Sequence, residues 1–138
     1  MARILAVDYG EKRCGIAVSD PMKIIANGLT TVGTADVEKF IVDYCAKEDV
    51  ETIVVGYPKT LRNEPAAVTA MINPFIGRLR KALPDVEIET IDERFTSKMA
   101  FQTMIESGIG RKARQNKALV DQISATIILQ NYMEWQRK

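Results

Sequence analysis

The sequence contains no histidine and only two cysteines among its 138 residues. The lack of imidazole excludes Ser-His-Asp hydrolase sites, Cys-His protease sites and zinc sites held by histidine. Cys14 and Cys45 are too few for a disulfide framework and lack the close spacing of zinc ligands, so we expect two reduced thiols. Any chemistry must therefore depend on carboxylates, lysine, arginine, hydroxyl groups or a metal ion held by oxygen.

Long apolar runs and an excess of charge of one sign are also missing. No segment approaches the roughly 18 apolar residues of a membrane span, and the first apolar run is too short for a signal peptide. We therefore expect a cytoplasmic protein without a membrane partner. The 19 Lys and Arg residues nearly balance the 18 Asp and Glu residues, so a basic surface for nucleic acid must be local. Aromatic residues, at 7% of the chain, are too sparse for a base-stacking platform.

The hydrophobic pattern predicts a single α/β domain over residues 1–138. The composition, 46% hydrophobic and 27% charged, is that of a globular protein. Apolar runs predict strands at 3–9 and 13–19, and their short separation predicts an antiparallel hairpin. A third strand fits residues 24–32, where Gly28 marks a bulge.

After the third strand, the spacing of the apolar residues predicts helices that alternate with strands. Thr34 is predicted to cap the first helix, and Pro74 either kinks a later helix or, with Asn73 as cap, begins a new segment. This order predicts a mixed five-stranded sheet, whose first three strands are antiparallel and are followed by βαβ units, with helices on both faces. The predicted elements are helices at 35–48, 68–83, 95–107 and 116–135 and strands at 52–56 and 86–91.

Two strand ends carry acids that are candidates for chemistry. Asp8 ends the first strand, where a carboxylate is costly unless it is paired or binds a metal. Asp92-Glu93-Arg94 follows strand 86–91, with one acid expected on each face. Ligands of open α/β sheets lie beyond the carboxyl ends of strands, which favours a site at this edge. The alternatives are an acid that accepts turn hydrogen bonds at position 8 and a local ion pair at 92–94.

A third acid, Asp121, lies on the last predicted helix. It shares one face with Ala125, Ile128 and Tyr132, an apolar stripe that should pack on the sheet. The alternative is a helix rolled so that Asp121 reaches solvent. If the three acids converge, they form the oxygen-rich site that Mg²⁺ or Mn²⁺ prefers, and such ions support phosphodiester cleavage.

A short basic segment precedes that acid. Four cations fall within seven residues and are candidates for binding phosphates, provided that the segment is not simply a solvated loop. They are Arg111, Lys112, Arg114 and Lys117.

Four motifs together resemble a known bacterial family. They are DYGEKRCGIAVSD from residue 8, GYP at 56–58, DERFTS at 92–97, and Lys117-Ala-Leu-Val-Asp121 with Ala125. In order and spacing they are similar to the YqgF (RuvX-type) family, which is described as Holliday-junction-resolvase-like and as pre-16S rRNA nuclease and has the ribonuclease H-like fold. One departure follows GYP, where the family usually carries an Asn- or Asp-Gly turn and this chain has Arg62-Asn63-Glu64-Pro65.

The resemblance implies a hydrolase of phosphodiester bonds. It implies a Mg²⁺- or Mn²⁺-dependent endonuclease that acts on structured nucleic acid and processes the 5′ end of the 16S rRNA precursor in ribosome biogenesis. Asp8, Glu93 and Asp121 would be its catalytic and metal-binding acids, with Arg94 a candidate for contact with substrate phosphate. The implied partners are RNA or branched DNA, and the ribosome.

Three alternatives to this interpretation stay open. One is a resolvase-like DNA nuclease, which would favour a dimer because a four-way junction has two equivalent strands to cut. Since rRNA processing demands no dimer, we expect a monomer or weak homodimer. Another is a non-catalytic nucleic-acid-binding factor of ribosome assembly. The last is a fragment of an actin-like sugar kinase, which DYGEKRCG resembles, although the second domain of such kinases is missing.

Overall fold

The structure, a computed structural model, describes residues 2–58, 66–93 and 117–136, with the backbone alone at 57, 58, 66–69, 92, 93, 117–121, 135 and 136. The predicted helix 95–107, the basic cations 111–114, and the loop that follows Gly56-Tyr57-Pro58 lie outside these ranges. The strands are β1 (Arg3–Asp8), β2 (Arg13–Ser19), β3 (Ala26–Gly33), β4 (Val50–Pro58) and β5 (Glu87–Glu93). The helices are a 3₁₀ turn (Thr34–Asp36), α1 (Val37–Lys47), α2 (Ala66–Ala82) and α3 (Lys117–Gln136).

The strands form one mixed sheet in the order β3-β2-β1-β4-β5. β1 pairs antiparallel with β2, and β2 with β3, whereas β1–β4 and β4–β5 are parallel pairs. The register of β2 and β3 shifts between Thr30 and Gly28, so the bulge expected at Gly28 is confirmed. The predicted sheet, with an antiparallel hairpin followed by βαβ units, is confirmed.

The central strand β1 is apolar from Ile4 to Val7 because helices cover both of its faces. Leu5 and Val7 belong to the core under α1 and α2, and Ile4 and Ala6 to the core under α3. The larger core continues through side chains of the other strands and of the two helices. Its fully buried members include Ile16, Ile41, Ile53, Ile72, Phe75 and Leu79.

Small side chains let α3 lie close to the other face of the sheet. Ala6 and Ala17 are fully buried beneath it. The stripe predicted for this helix is confirmed, since Ala125, Ile128 and Tyr132 are all buried. A large part of the α3 surface is therefore apolar. The size of the residues beneath the helix determines how closely it approaches the sheet.

Two local predictions about the helices are corrected by the structure. Thr34 does not cap the first helix: it opens the 3₁₀ turn and its hydroxyl donates to the Gly10 carbonyl oxygen at 2.7 Å. Helix α2 runs unbroken through Pro74, so a second segment capped by Asn73 is wrong. Pro74 and Ala70 are both exposed, and solvent can therefore reach the Ala70 carbonyl that loses its helical donor.

Strand β5 is longer than its apolar alternation indicates. Its pairing with β4 continues through Asp92 opposite Tyr57 and Glu93 opposite Pro58. The two acids therefore form the last part of the strand rather than the loop after it. Backbone pairing with a neighbour, which a single strand's pattern does not contain, determines where this strand ends.

Candidate active site at the carboxyl ends of the parallel strands

Asp8 lies at the centre of the sheet edge where the parallel strands end. It is the last residue of β1, is half-buried, and pairs in register with Gly15 of β2 and Gly56 of β4. Because residues in register share a sheet face, neither neighbouring strand places a side chain directly opposite Asp8. Gly15 and Gly56 are both buried, so the backbone of the two strands beside this acid is covered.

Glu93 lies on the same edge, two strands away. Asp8 is in register with Gly56, and Gly56 is in register with Ile91. Glu93 therefore lies two residues beyond the position of β5 that is level with Asp8. Since β4 lies between them, β1 and β5 are roughly 10 Å apart. Position 93 is on the same face of β5 as Glu89 and Ile91, which contact α3 or its core. Position 92 is on the opposite face with Ile88, which belongs to the other core. The expectation of one acid position on each face agrees with this register.

Helix α3 begins at this edge as well. Gln122 and Thr126 pack over Gly28, whereas residues 130, 133 and 134 line a pocket of about 530 Å³ with residues 24–26. The helix therefore runs antiparallel to β3, and also to β1, because both strands have the same direction. Its first residues, Asp121 among them, lie toward the end of β1 that carries Asp8.

The donor chemistry of this edge fits a hard divalent cation. Oxygen ligands are what Mg²⁺ and Mn²⁺ prefer, and the two strands beside Asp8 contribute only glycine at the positions opposite it. One helical turn after Asp121, the Ser124 hydroxyl is buried and makes no hydrogen bond to any described residue. No cluster of three metal-ligating side chains occurs among the described residues, which exclude the side chains of Glu93 and Asp121. The convergence of the three carboxyl groups stays a prediction.

The side chains of the residues predicted to bind nucleic acid are not among those that the structure describes. Arg94, Arg111, Lys112 and Arg114 lie beyond the described residues, and Lys117 is described by its backbone, as the first residue of α3. Neither Cys14 nor Cys45 forms a disulfide, which agrees with the expectation of reduced thiols. None of the described helices is long and apolar enough to cross a membrane.

The hydrogen bonds that Thr34 makes to the turn after Asp8 were not predicted from the sequence. The signal was indirect, because antiparallel pairing of β2 with β3 brings Gly33 opposite Arg13 and so places residue 34 beside that turn. Tyr9, the first residue of the turn, is buried against Phe75, with ring centroids 4.8 Å apart, and burial raises the pKa of its hydroxyl. This end of the turn is therefore fixed in the core.

Comparison with known proteins assigns the family. The model of the RuvX family, described as Holliday junction resolvase, matches residues 2–135. The chain belongs to the RuvX family. A relative from Bacteroides fragilis is 57% identical over 137 residues, covers 99% of both chains and is named "Putative pre-16S rRNA nuclease". A relative from Flavobacterium psychrophilum with the same name is 56% identical over 133 residues, covering 96% of this chain and 97% of its own.

The RuvX fold is shared with solved structures of low sequence identity. RuvC of Thermus thermophilus in complex with a Holliday junction substrate gives a TM-score of 0.60 at 12% identity, covering 99% of this chain and 96% of that one. The likeness confirms the ribonuclease H-like α/β fold. The family predicted from the sequence is confirmed, and with it a nuclease, which hydrolyses phosphodiester bonds of nucleic acid.

Proposed function

We propose that this RuvX chain is a divalent-metal-dependent endonuclease that processes the 5′ end of the 16S rRNA precursor. The names of its relatives supply the substrate. The observation that carries the site is Asp8, placed at the carboxyl end of the central strand between Gly15 and Gly56. Glu93 and the beginning of α3 are positioned at the same edge, so the three acids are the natural ligands of the ion.

In this proposal each acid has a defined task. The carboxylates of Asp8, Glu93 and Asp121 would hold one or two Mg²⁺ or Mn²⁺ ions. The bound metal would lower the pKa of a water molecule and offset the charge that develops on phosphorus oxygens. Asp8 is the residue that orients this assembly, since it stands on the rigid central strand while the other two acids come from an edge strand and a helix.

The substrate is held by cations around this edge. Arg94 is proposed to contact the phosphate next to the cleaved bond, and Arg111, Lys112, Arg114 and Lys117 the phosphates beyond it. These contacts account for binding by a chain whose net charge is only +1. The protein would act in the cytoplasm, on the assembling ribosome, as a monomer or weak homodimer.

The test is cleavage of end-labelled precursor 16S rRNA, with a four-way DNA junction and single-stranded RNA as alternative substrates. Each is incubated with Mg²⁺, Mn²⁺ or EDTA. Wild type should cut the precursor with either metal and not with EDTA. Asp8→Asn and Asp121→Asn should abolish cutting but retain or improve binding, because repulsion of the phosphate falls. Asp85→Asn, which removes an exposed acid from the turn before β5, is the matched control and should cut normally.

Other outcomes would replace the proposal. Cleavage of the four-way junction alone would make the protein a resolvase, the function in the family's description. Tight RNA binding without cleavage under any metal would make it a non-catalytic assembly factor. Full activity of Asp8→Asn would remove this edge from the reaction.

A further inference from the structure

The turn between β1 and β2 directly follows Asp8 and doubles back tightly. A Cβ atom on Gly10 would lie 2.5 Å from the Arg13 carbonyl oxygen, so a side chain at position 10 would collide with the backbone. At its two ends, Tyr9 and Cys14 are buried in the core. Between them Glu11 and Lys12 are exposed. The turn is therefore a rigid loop that presents charged side chains at the edge of Asp8.

Thr34 fixes the shape of this turn from outside the hairpin. Its backbone N–H donates to the Lys12 carbonyl oxygen at 3.1 Å, and its hydroxyl donates to the Gly10 carbonyl oxygen at 2.7 Å. The Cys14 sulfur lies 3.7 Å from the same hydroxyl oxygen. Since the hydroxyl has a single proton and gives it to Gly10, the thiol is the donor in that contact. One residue thus satisfies two carbonyl groups of a three-residue stretch.

The position of Lys12 on this turn favours binding of the substrate. Among the described residues no acid forms an ion pair with Lys12, whose side chain extends from a fixed backbone four residues after Asp8. The three proposed carboxylates would repel a phosphodiester, and a cation on the turn that follows Asp8 would offset that repulsion. A lysine whose backbone is already ordered loses less conformational entropy on contact than one in a mobile loop.

We propose that Lys12 binds a phosphate of the nucleic-acid substrate and that Thr34 is a positioning residue which presents it. The proposal rests on the nuclease function proposed above. It assigns a specific contact to the β1–β2 turn, separate from the basic segment at 111–117. Thr34 acts only by holding the turn in place. Loss of its hydroxyl should therefore weaken substrate binding only while Lys12 is present.

The test is the salt dependence of binding, measured by fluorescence anisotropy with a labelled fragment of precursor 16S rRNA. Lys12→Gln should weaken binding about fivefold at low salt and lower the slope of log K against log salt by about 0.7–0.9, the effect of one lost phosphate contact. Lys39→Gln is the matched control. It removes the same charge from α1, where Lys39 pairs with Asp43, and should leave the slope unchanged.

Thr34 is tested by a double-mutant cycle. Thr34→Val, which keeps the shape and removes the hydroxyl, should weaken binding in the wild-type background and have no effect on binding in the Lys12→Gln background. Thr34→Ser, which keeps the hydroxyl, should restore binding. In the cleavage assay, Thr34→Val should raise KM more than it lowers kcat, because its effect is on the phosphate contact.

Each other outcome overturns a part of the proposal. An unchanged slope for Lys12→Gln, or an equal change for Lys39→Gln, removes Lys12 from the binding surface. An equal loss for Thr34→Val in both backgrounds makes Thr34 purely structural. Failure of wild type to bind the RNA overturns the phosphate contact itself. RNA binding without cleavage overturns the nuclease function alone, so the two failures are distinguishable.

Discussion

The Tyr132 hydroxyl donates a hydrogen bond to the carboxylate of Glu89, which joins α3 to β5 across one face of the sheet. Tyr132 is almost fully buried and Glu89 is half-buried. These two elements carry Asp121 and Glu93. The bond therefore joins the two elements that carry the acids outside the central strand, at a point away from the acids themselves.

Removing this hydroxyl should cost stability. Tyr132→Phe leaves the half-buried Glu89 carboxylate without its donor, and we expect a loss of about 1–3 kcal/mol in the free energy of unfolding. Urea unfolding followed by circular dichroism measures it. Tyr44→Phe is the control, since the Tyr44 hydroxyl makes no hydrogen bond to a described residue and its loss should be nearly neutral. Equal losses for the two variants would mean that the contact contributes nothing specific.

Gly28 determines how closely the first half of α3 approaches the sheet. A Cβ at this position would lie 2.9 Å from Gln122 Cγ and 3.2 Å from Thr126 Oγ1. Because Asp121 precedes Gln122 directly, a shift of this part of the helix moves Asp121 relative to Asp8. Gly28→Ala should therefore destabilise the protein by about 1–3 kcal/mol and reduce cleavage more than substrate binding.

Two variants separate steric overlap from a general effect of alanine. Gly77→Ala on α2, where a Cβ meets nothing within 4 Å, should stabilise the protein by about 0.5–1 kcal/mol. Adding Gln122→Ala to Gly28→Ala should recover part of the lost activity, because it removes the atom in closest contact. Chemical denaturation and the cleavage assay measure both. No recovery in the double variant would show that the helix is positioned by other contacts.

Asp20 organises the exposed loop between β2 and β3. Its carboxylate accepts backbone N–H groups of Ile25 and Ile24 at 2.7 Å and of Met22 at 3.2 Å. The N–H of Ile25 has the largest effect and lowers the pKa of Asp20. Burial opposes it to a smaller extent, and the N–H groups of Ile24 and Met22 lower the pKa further. The loop thereby holds the large apolar side chains Met22, Ile24 and Ile25 in solvent.

The sign of the pKa shift predicts a pH dependence. A carboxyl group whose pKa is lower in the folded state stabilises that state above its ordinary pKa of about 4, and the stabilisation is lost as the pH falls through the folded value. The amides of Ile24 and Ile25 should therefore lose hydrogen-exchange protection in acid relative to the sheet. In Asp20→Asn they should be less protected at neutral pH and insensitive to this titration. Parallel acid profiles of the two proteins would contradict the assignment.

The order of the elements along the chain was predictable because local patterns determine it. The apolar runs at 3–9 and 13–19 lie within two residues of the hairpin found, and the change to helical periodicity fixed the βαβ units that follow. The end of β5 and the continuity of α2 through Pro74 were not predictable. They depend on pairing with β4 and on which side of the helix faces solvent, and both are tertiary properties.

The site was predictable in part. The position of Asp8 followed from a single acid at the end of an apolar strand. The glycine neighbours of Asp8 were not predictable, because the register that puts Gly15 and Gly56 on its two sides is absent from a linear pattern. Thr34 was mistaken for a helix cap because its partner, Gly10, is distant in sequence.

The basic segment with Arg111, Lys112 and Arg114 should account for most of the salt dependence of binding. Replacing all three with alanine removes up to three phosphate contacts and should lower the slope of log K against log salt by about 2–3. The control replaces Lys39, Lys47 and Lys81, exposed cations on α1 and α2, and removes the same net charge. The two triple variants lose the same net charge, so a general effect of charge would change both slopes alike. If the basic segment binds phosphates specifically, the slope should fall only in the variant that lacks Arg111, Lys112 and Arg114. Equal slopes in the two variants would exclude the segment from the binding surface and leave the β1–β2 turn as the principal cationic contact.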